Sequence, residues 1–239
     1  MKVHIIQTDN RPNLYYIALT KKVNKYAADV LHYNYSFLQI PKTYTFKIHP
    51  ATAKILIVND FIHSSTDDII VFLDTDAWIN NTKYLDRLVR QLYNDKTKHG
   101  CYSRDTYVKK NTYTNSGAFI LKVNDYTRQM YNTITQELSA NAKHHNIWPY
   151  DQFYISDFVY KNRGDFIIYK PEVLNTPVGI VIKHNWNKNE KMYIDLHEKQ
   201  NEKEYTASSN AFIDAADFPN TSDGVDYVQS FPQINMPTA

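Results

Sequence analysis

The sequence predicts a doubly wound α/β fold over residues 1–200, with one sheet covered by helices on both faces. Two observations support this prediction. Residues 1–95 alternate between strand-like and helix-like segments, and residues 69–73 are five consecutive apolar residues, a run typical of a strand buried on both faces. The chain has 239 residues, of which 43% are apolar, so it is long enough to form one large domain.

The alternating segments of the first part define six elements. Apolar or alternating runs bounded by polar residues predict strands at 2–8, 43–48 and 68–74. Apolar residues at helical spacing predict helices within 14–38, 49–62 and 82–94. Pro50 fits the first turn of the second helix, and Thr82 is predicted to cap the third. A β-α-β-α-β-α order of this kind indicates parallel strands joined by crossover helices.

The second half of the chain is less regular but continues the α/β pattern. Further strands are predicted at 115–123, 165–170 and 179–186. Further helices are predicted at 124–138 and 148–160. After residue 200 the composition shifts to Ser, Asn, Asp, Thr and Pro, so residues 201–239 are predicted to form a polar C-terminal arm or linker.

Composition argues against several classes of protein. A net charge of +2 without a Lys/Arg run lacks the electrostatic footprint of a nucleic-acid-binding protein. The single cysteine, Cys101, excludes a disulfide within the chain and a cysteine-based zinc site, and is predicted to be a small buried residue. No segment approaches the roughly 20 apolar residues of a membrane span, and the first ten residues do not resemble a signal peptide. We therefore expect a cytoplasmic protein in a reducing compartment, with no nucleic-acid partner and no membrane span.

Two carboxylates, Asp74 and Asp76, follow the buried strand with only Thr75 between them. Alternate residues of an extended chain share a face, so both carboxylates can point the same way, which is unfavourable without a positive partner. Mg²⁺ and Mn²⁺ prefer oxygen ligands and often bridge to substrate phosphates. In open α/β sheets, ligands bind at the carboxyl ends of strands, where Thr8 also lies. The sequence therefore predicts a divalent-cation site here, with two solvated acids in a turn as the alternative.

Four motifs occur in order across residues 74–186, and together they resemble those of a known family. A strand ending in FLDTDAWINN is followed by NSGAF, then YDQ, then KHNW. HPATAK precedes the acidic strand. This order resembles GT-A glycosyltransferases with a DxD motif, in particular the retaining glycogenin and galactosyltransferase-like group and the xyloglucan xylosyltransferase and yeast mannosyltransferase group. The sequence is also similar to small glycosyltransferases of large algal viruses.

The resemblance implies a fold and an activity. The fold would be GT-A, the nucleotide-diphospho-sugar transferase fold, with a Rossmann-like mixed sheet flanked by helices. The activity would be transfer of a hexosyl or pentosyl group from a nucleotide sugar, a UDP-sugar, to a hydroxyl of a glycan or other acceptor, with retention of anomeric configuration. The cofactor would be Mn²⁺ or Mg²⁺.

The resemblance also implies site residues. Asp74, Asp76 and His184 would hold the cation, and Asp151 and Gln152 would lie at the reacting face of the sugar. The implied contacts to the donor come from Thr8, Asp9, Asn10, Tyr15, Lys54, Asp74, Thr75, Asn115, Ser116 and Gly117. A nitrogen ligand would shift the metal preference from Mg²⁺ towards Mn²⁺.

Departures from the family pattern and rival functions define the alternatives. Arg11-Pro12 stands where the galactosyltransferase-like group has a Tyr nearby, and KHNW lacks a Gly-rich context. Asp151 would also be an ordinary first-turn residue of its helix. A nucleotidyltransferase would need a Gly-rich phosphate loop, and a two-metal nuclease would need more acidic ligands and a basic face. A non-catalytic carbohydrate-binding module is the third alternative.

Overall fold

The computed structural model describes residues 1–45 and 47–201. The predicted C-terminal arm therefore lies outside the described residues, apart from its first residue, and the domain boundary stays a prediction. The described residues form eight strands: β1 Val3–Asp9, β2 Asn34–Gln39, β3 Ile69–Leu73, β4 Ala77–Ile79, β5 Gly100–Arg104, β6 Thr114–Lys122, β7 Phe166–Tyr169 and β8 Ile182–His184.

The same residues form eight α-helices that flank the strands. They are α1 Tyr15–Leu31, α2 Lys42–Thr45, α3 Pro50–Ser64, α4 Thr82–Asn94, α5 Asp125–Ala140, α6 Asp151–Lys161, α7 Pro171–Leu174 and α8 Glu190–Asn201. Within the described part of the chain, no helix combines the length and the apolar character needed to cross a membrane.

Six strands form one mixed sheet in the order β2-β1-β3-β6-β5-β7, and β4 pairs with β8 in a separate two-stranded sheet. Strands β2, β1 and β3 are parallel, β6 runs antiparallel to both β3 and β5, and β7 is parallel to β5. The carboxyl ends of five strands and the amino end of β6 therefore meet at one edge, here called the site edge. A mixed sheet flanked by helices is the fold class predicted from the sequence.

The core lies on both faces of this sheet. Ile69, Val71 and Leu73 pack on one face with residues of α1 and α4, whereas Ile70 and Phe72 pack on the other with residues of α3, α5 and α6. All five residues of β3 are fully buried, which explains its uninterrupted apolar run. Cys101 is buried in β5, as predicted.

Some predicted elements are wrong. The predicted strand at 43–48 is wrong, because residues 43–45 belong to α2 and residues 47–48 form a turn and a bend, and the second strand is β2 instead. Strand β2, with the sequence NYSFLQ, lies at the edge of the sheet and is only partly buried, so it lacks a strong apolar pattern. The helix predicted within 14–38 ends at Leu31, where His32 adopts a left-handed conformation with φ of 56°. Strands β4 and β5 were not predicted.

Candidate functional site

Hydrogen bonds to the backbone fix the turn that carries the two carboxylates. The amide of Asp74 donates to the carbonyl of Gly117 at 2.6 Å, and the amide of Ala77 donates back to the carbonyl of Asp74 at 2.9 Å. The side chain of Gln7, in β1, donates to the same Asp74 carbonyl at 3.1 Å. Asp74 and Asp76 therefore lie at the site edge in a turn that both neighbouring strands of β3 hold in place.

The small β4–β8 sheet brings His184 against these carboxylates. Ala77 lies opposite His184 in the antiparallel register, so the imidazole returns to the acidic turn from 108 residues away. Its Nε2 lies 3.1 Å from Oδ1 of Asp76 and 3.9 Å from Oδ2 of Asp74. One ligand atom from each residue falls within 4.8 Å of the other two. The three predicted metal ligands are therefore brought together, and we call them the metal-ligand cluster.

Gly117 makes room for His184. A Cβ atom at position 117 would lie 1.9 Å from Cε1 of the imidazole, closer than any non-bonded contact allows. The glycine of the NSG motif thus lets the imidazole ring approach the β6 backbone. The resemblance implies a donor contact at this position, and the structure places Gly117 beside His184.

Burial and charge shift the pKa values of the cluster in opposite directions. Burial raises the pKa of Asp74 to about 6, although the charges of Lys54 and His184 act in the opposite sense. Burial also favours protonation of Asp76, but the charge and hydrogen bond of His184 outweigh it and lower the pKa of that carboxyl. The pKa of His184 rises because Asp76 outweighs the effect of burial.

The donor atoms of the cluster fit a divalent cation. Two carboxylates and one imidazole form a mixed oxygen and nitrogen set, which suits Mn²⁺ and is less typical of Mg²⁺. Asp74 keeps 28% of its side chain exposed and Asp76 keeps 17%, so an ion can reach both.

Lys54 lies behind the cluster and connects it to Asp151. Its ammonium is 2.8 Å from Oδ1 of Asp74 and 3.0 Å from Oδ2 of Asp151, and the side chain is almost completely buried. Burial lowers its pKa, but the two carboxylates outweigh burial and raise it. Burial raises the pKa of Asp151 against the charge of Lys54. The backbone carbonyl of Ser116 also faces the ammonium, at 3.4 Å. The predicted donor contact Lys54 is thus engaged by protein groups.

Asp105 organises the other side of the site and was missed by sequence reasoning. Its Oδ2 accepts hydrogen bonds from Nε2 of Gln152 at 2.9 Å and from Nδ2 of Asn115 at 3.3 Å, while Oδ1 accepts from the amide of Tyr107 at 2.9 Å. Oδ1 of Asn115 in turn accepts from the amide of Gly117 at 2.8 Å. Asp105 directly follows β5 at the site edge, and its position would have been a signal had that strand been predicted.

The first loop is tied to the acidic turn through Asp9. This buried carboxylate accepts from Oγ1 of Thr75 at 2.9 Å, from the backbone amide of Arg11 at 2.7 Å, and from the guanidinium of Arg11 at 3.1 and 3.2 Å. Oγ1 of Thr8 and Oδ1 of Asn10 are buried without a hydrogen-bond partner among the described residues. The predicted donor contacts Asp9 and Thr75 are therefore hydrogen-bonded to each other, whereas Thr8 and Asn10 each keep a side-chain oxygen that could bind a ligand.

Aromatic residues cover the outer side of the first loop. Tyr16 stacks on Tyr193 of α8, with ring centroids 5.2 Å apart, and Tyr15 meets Tyr193 edge-on at 6.1 Å. Tyr15, which the resemblance implies as a donor contact, is exposed and therefore accessible to a ligand. Tyr193 was not predicted as part of the site.

Comparisons with known proteins bear on the fold. No protein-family model and no curated protein matches the sequence. Among solved structures, the chain is similar to a glycosyltransferase involved in the glycosylation of the major capsid of PBCV-1, with 12% identity, a TM-score of 0.63, and 83% of this chain and 100% of that one covered. It is also similar to the galactosyltransferase LgtC solved with donor and acceptor sugar analogs, with 12% identity, a TM-score of 0.57, and 83% and 96% covered.

A third similar structure is the glycosyltransferase GlyE of Streptococcus pneumoniae TIGR4, with 12% identity, a TM-score of 0.50, and 89% of this chain and 66% of that one covered. All three resemble this chain in the arrangement of strands and helices at low sequence identity. The chain therefore has the GT-A fold of these glycosyltransferases, as its ordered motifs predict.

Proposed function

We propose that this protein is a metal-dependent glycosyltransferase that moves a sugar from a UDP-sugar to a hydroxyl of a glycan acceptor. The observation that carries the proposal is the metal-ligand cluster, because Asp74, Asp76 and His184 converge at the edge of an α/β sheet where ligands bind. The fold shared with three glycosyltransferases supports sugar transfer as the reaction. The order of the four motifs supports a nucleotide-sugar donor.

The cluster residues would hold Mn²⁺, or Mg²⁺, which when bound supplies positive charge to the diphosphate as it leaves. Asp74 and Asp76 offer carboxylate oxygens, and His184 offers Nε2. Lys54 fixes the orientation of Asp74 through its ion pair, which turns the other carboxylate oxygen towards His184.

Asp151 and Gln152 are proposed to position the donor sugar. The carboxylate of Asp151 is ion-paired with Lys54, which makes a positioning role a better fit than that of a free nucleophile. Nε2 of Gln152 donates to Asp105, so its carbonyl oxygen is the end of the amide turned away from Asp105. That oxygen can accept from a sugar hydroxyl or stabilise positive charge at the reacting carbon.

We propose that the reaction proceeds with retention. The bond between the anomeric carbon and the diphosphate oxygen breaks, the acceptor oxygen bonds to the same face, and its proton passes to the departing diphosphate oxygen. An inverting reaction would need a carboxylate base on the opposite face. Asp105 and Asp151, two buried carboxylates of the site, both already accept hydrogen bonds or an ion pair from protein groups, which makes either a poor base.

Replacement of a metal ligand tests the proposal. Asp76→Asn should weaken Mn²⁺-dependent UDP binding at least about tenfold, because the site loses a charged ligand. Calorimetric titration of UDP with and without Mn²⁺ measures this. The matched control is Asp29→Asn, which removes an exposed carboxylate on α1 that pairs with Lys25.

Equal UDP affinity in Asp76→Asn and the wild-type protein would contradict the metal assignment.

Turnover is tested separately. Incubation of the protein with a panel of UDP-sugars should release UDP, and binding of a UDP-sugar without any turnover would favour a non-catalytic module. NMR of the first-formed product then reports the anomeric configuration, and an inverted product would contradict retention.

A further inference from the structure

Five loops surround the metal-ligand cluster at the site edge, and we call them the rim loops. They are residues 10–14, 40–45 together with 47–49, 105–113, 141–150 and 185–189, and the second of them includes the short helix α2. The first three follow β1, β2 and β5 at their carboxyl ends, the fourth leads into α6 at Asp151, and the fifth follows His184. The loops therefore lie at the same edge of the sheet as the cluster.

The rim loops contain more basic than acidic residues, although Arg11 pairs with Asp9 and Lys110 with Asp157. Their sequences contain seven Lys and Arg residues but one acidic residue, Asp105, which is buried and already accepts several hydrogen bonds. Five of the lysines are exposed and have no carboxylate partner among the described residues: Lys42, Lys47, Lys109, Lys143 and Lys188. The whole chain carries a net charge of only +2, so the rim loops, counted without the carboxylates of the cluster behind them, are more positive than the chain on average.

The same loops display large apolar side chains to solvent. Tyr107 is 69% exposed, Ile147 65%, Trp148 58% and Trp186 51%. Large apolar side chains grouped on one exposed surface mark an interaction site more often than isolated ones do. Tyr and Trp present a flat apolar face with a polar edge, a shape that suits the apolar face of a pyranose ring.

We propose that the rim loops bind the acceptor, and that the acceptor is an anionic carbohydrate bearing carboxylate, sulfate or phosphate groups. The inference rests on the proposed glycosyl transfer and names the class of its second substrate. The unpaired lysines recognise the negative groups, and the exposed aromatic rings stack on the sugar rings between them. Placement around the cluster favours the acceptor over other anionic partners, because the acceptor hydroxyl must reach the donor there.

Binding of defined oligosaccharides tests the inference without donor or metal present. Calorimetry compares three hexasaccharides: hyaluronan, which carries carboxylates, chondroitin sulfate, which carries sulfates as well, and neutral chitohexaose. At low salt at least one anionic hexasaccharide should bind about tenfold more tightly than chitohexaose, and that advantage should fall as NaCl is raised, because salt screens exposed charges.

Charge reversal identifies the surface responsible. The double variant Lys109→Glu with Lys143→Glu should remove the preference for the anionic sugars. The matched control, Lys22→Glu with Lys96→Glu, makes the same change in net charge on α1 and after α4, away from the rim loops, and should leave the preference for anionic sugars intact.

A second pair of variants tests the aromatic residues. Trp148→Ala should weaken binding of the anionic hexasaccharide several-fold, whereas Tyr93→Ala, which removes an exposed tyrosine on α4, should not. Circular dichroism checks that each variant is folded.

Three outcomes overturn the inference. Anionic hexasaccharides that bind no better than chitohexaose exclude an anionic acceptor. Equal effects of the rim and control variants exclude the rim loops. Binding of phosphatidylserine vesicles that exceeds that of every hexasaccharide, and that the rim variant abolishes, would assign the surface to a membrane. Because no UDP or Mn²⁺ is present, these results are independent of the donor-binding test.

Discussion

At the scale of single residues, Asp105 decides which atoms of two neighbouring amides face the rest of the site. An ionised carboxylate only accepts hydrogen bonds, so Gln152 and Asn115 must both turn their amino groups towards it. An asparagine at 105 could donate as well as accept, and Gln152 could then present either end of its amide. We therefore infer that Asp105 acts through Gln152 as a positioning residue.

A double-mutant cycle measures this role. Asp105→Asn should lower kcat about tenfold, since hydrogen bonds to charged groups contribute roughly 1.5–3 kcal/mol. In a Gln152→Ala background the same substitution should have little further effect, because the residue it positions is gone. Equal losses in both backgrounds, or a lower melting temperature that accounts for the loss, would indicate a merely structural role for Asp105.

At the scale of elements, α4 shows how a helix end can be misread from the sequence. The predicted cap was Thr82, but the side chain of Asn81 accepts from the amide of Tyr84, which makes Asn81 the N-cap. Asn81→Ala should reduce the free energy of unfolding by about 1 kcal/mol, as loss of a cap commonly does. Thr82→Ala, one residue into the helix, should cost clearly less. Urea denaturation of the two variants compares them directly, and equal costs would contradict the cap assignment.

The elements that were predicted correctly have strong local patterns. The fully buried β3 has an unbroken apolar run, and α3 begins with His49-Pro50, where Pro occupies the first turn. Strand β2 is only partly buried, so its residues do not alternate clearly between apolar and polar. Strand β4 has only three residues, which is too few for an alternation to be recognised. Local pattern thus identifies the central elements and fails at edges and short ladders, where tertiary pairing decides the conformation.

At the scale of the whole molecule, the metal-ligand cluster joins parts of the chain that are 108 residues apart. An ion that binds only the folded chain should therefore stabilise the entire domain, by about 2.7 kcal/mol at a concentration 100 times the dissociation constant. We expect Mn²⁺ to raise the melting temperature, EDTA to reverse the rise, and Asp76→Asn to abolish it. A rise of equal size in Asp76→Asn would place the ion elsewhere.

The site was predictable from the sequence to the extent that its residues lie in motifs. Asp74 and Asp76 follow a recognisable strand, and the resemblance supplied His184, which the register opposite Ala77 brings to them. Asp105 follows the unpredicted β5, and Tyr193 lies on α8, beyond the last motif. Both residues come close to the site only through packing between distant segments. No local sequence pattern marks these positions, so they could not be predicted from one sequence.

The contact between Gly117 and His184 has a consequence for how sequences of this kind can diverge. Any side chain at 117 collides with the imidazole, so a lineage that gains one there must first lose or move the histidine. His184 can be replaced first, because a smaller residue at 184 creates no clash with Gly117. Among descendants of such a chain, glycine without histidine should occur, while histidine without glycine should be absent. Although the two motifs are far apart in the sequence, they therefore depend on each other during evolution. His184 can be lost while Gly117 remains, but Gly117 can be replaced only after His184 has been lost or has moved.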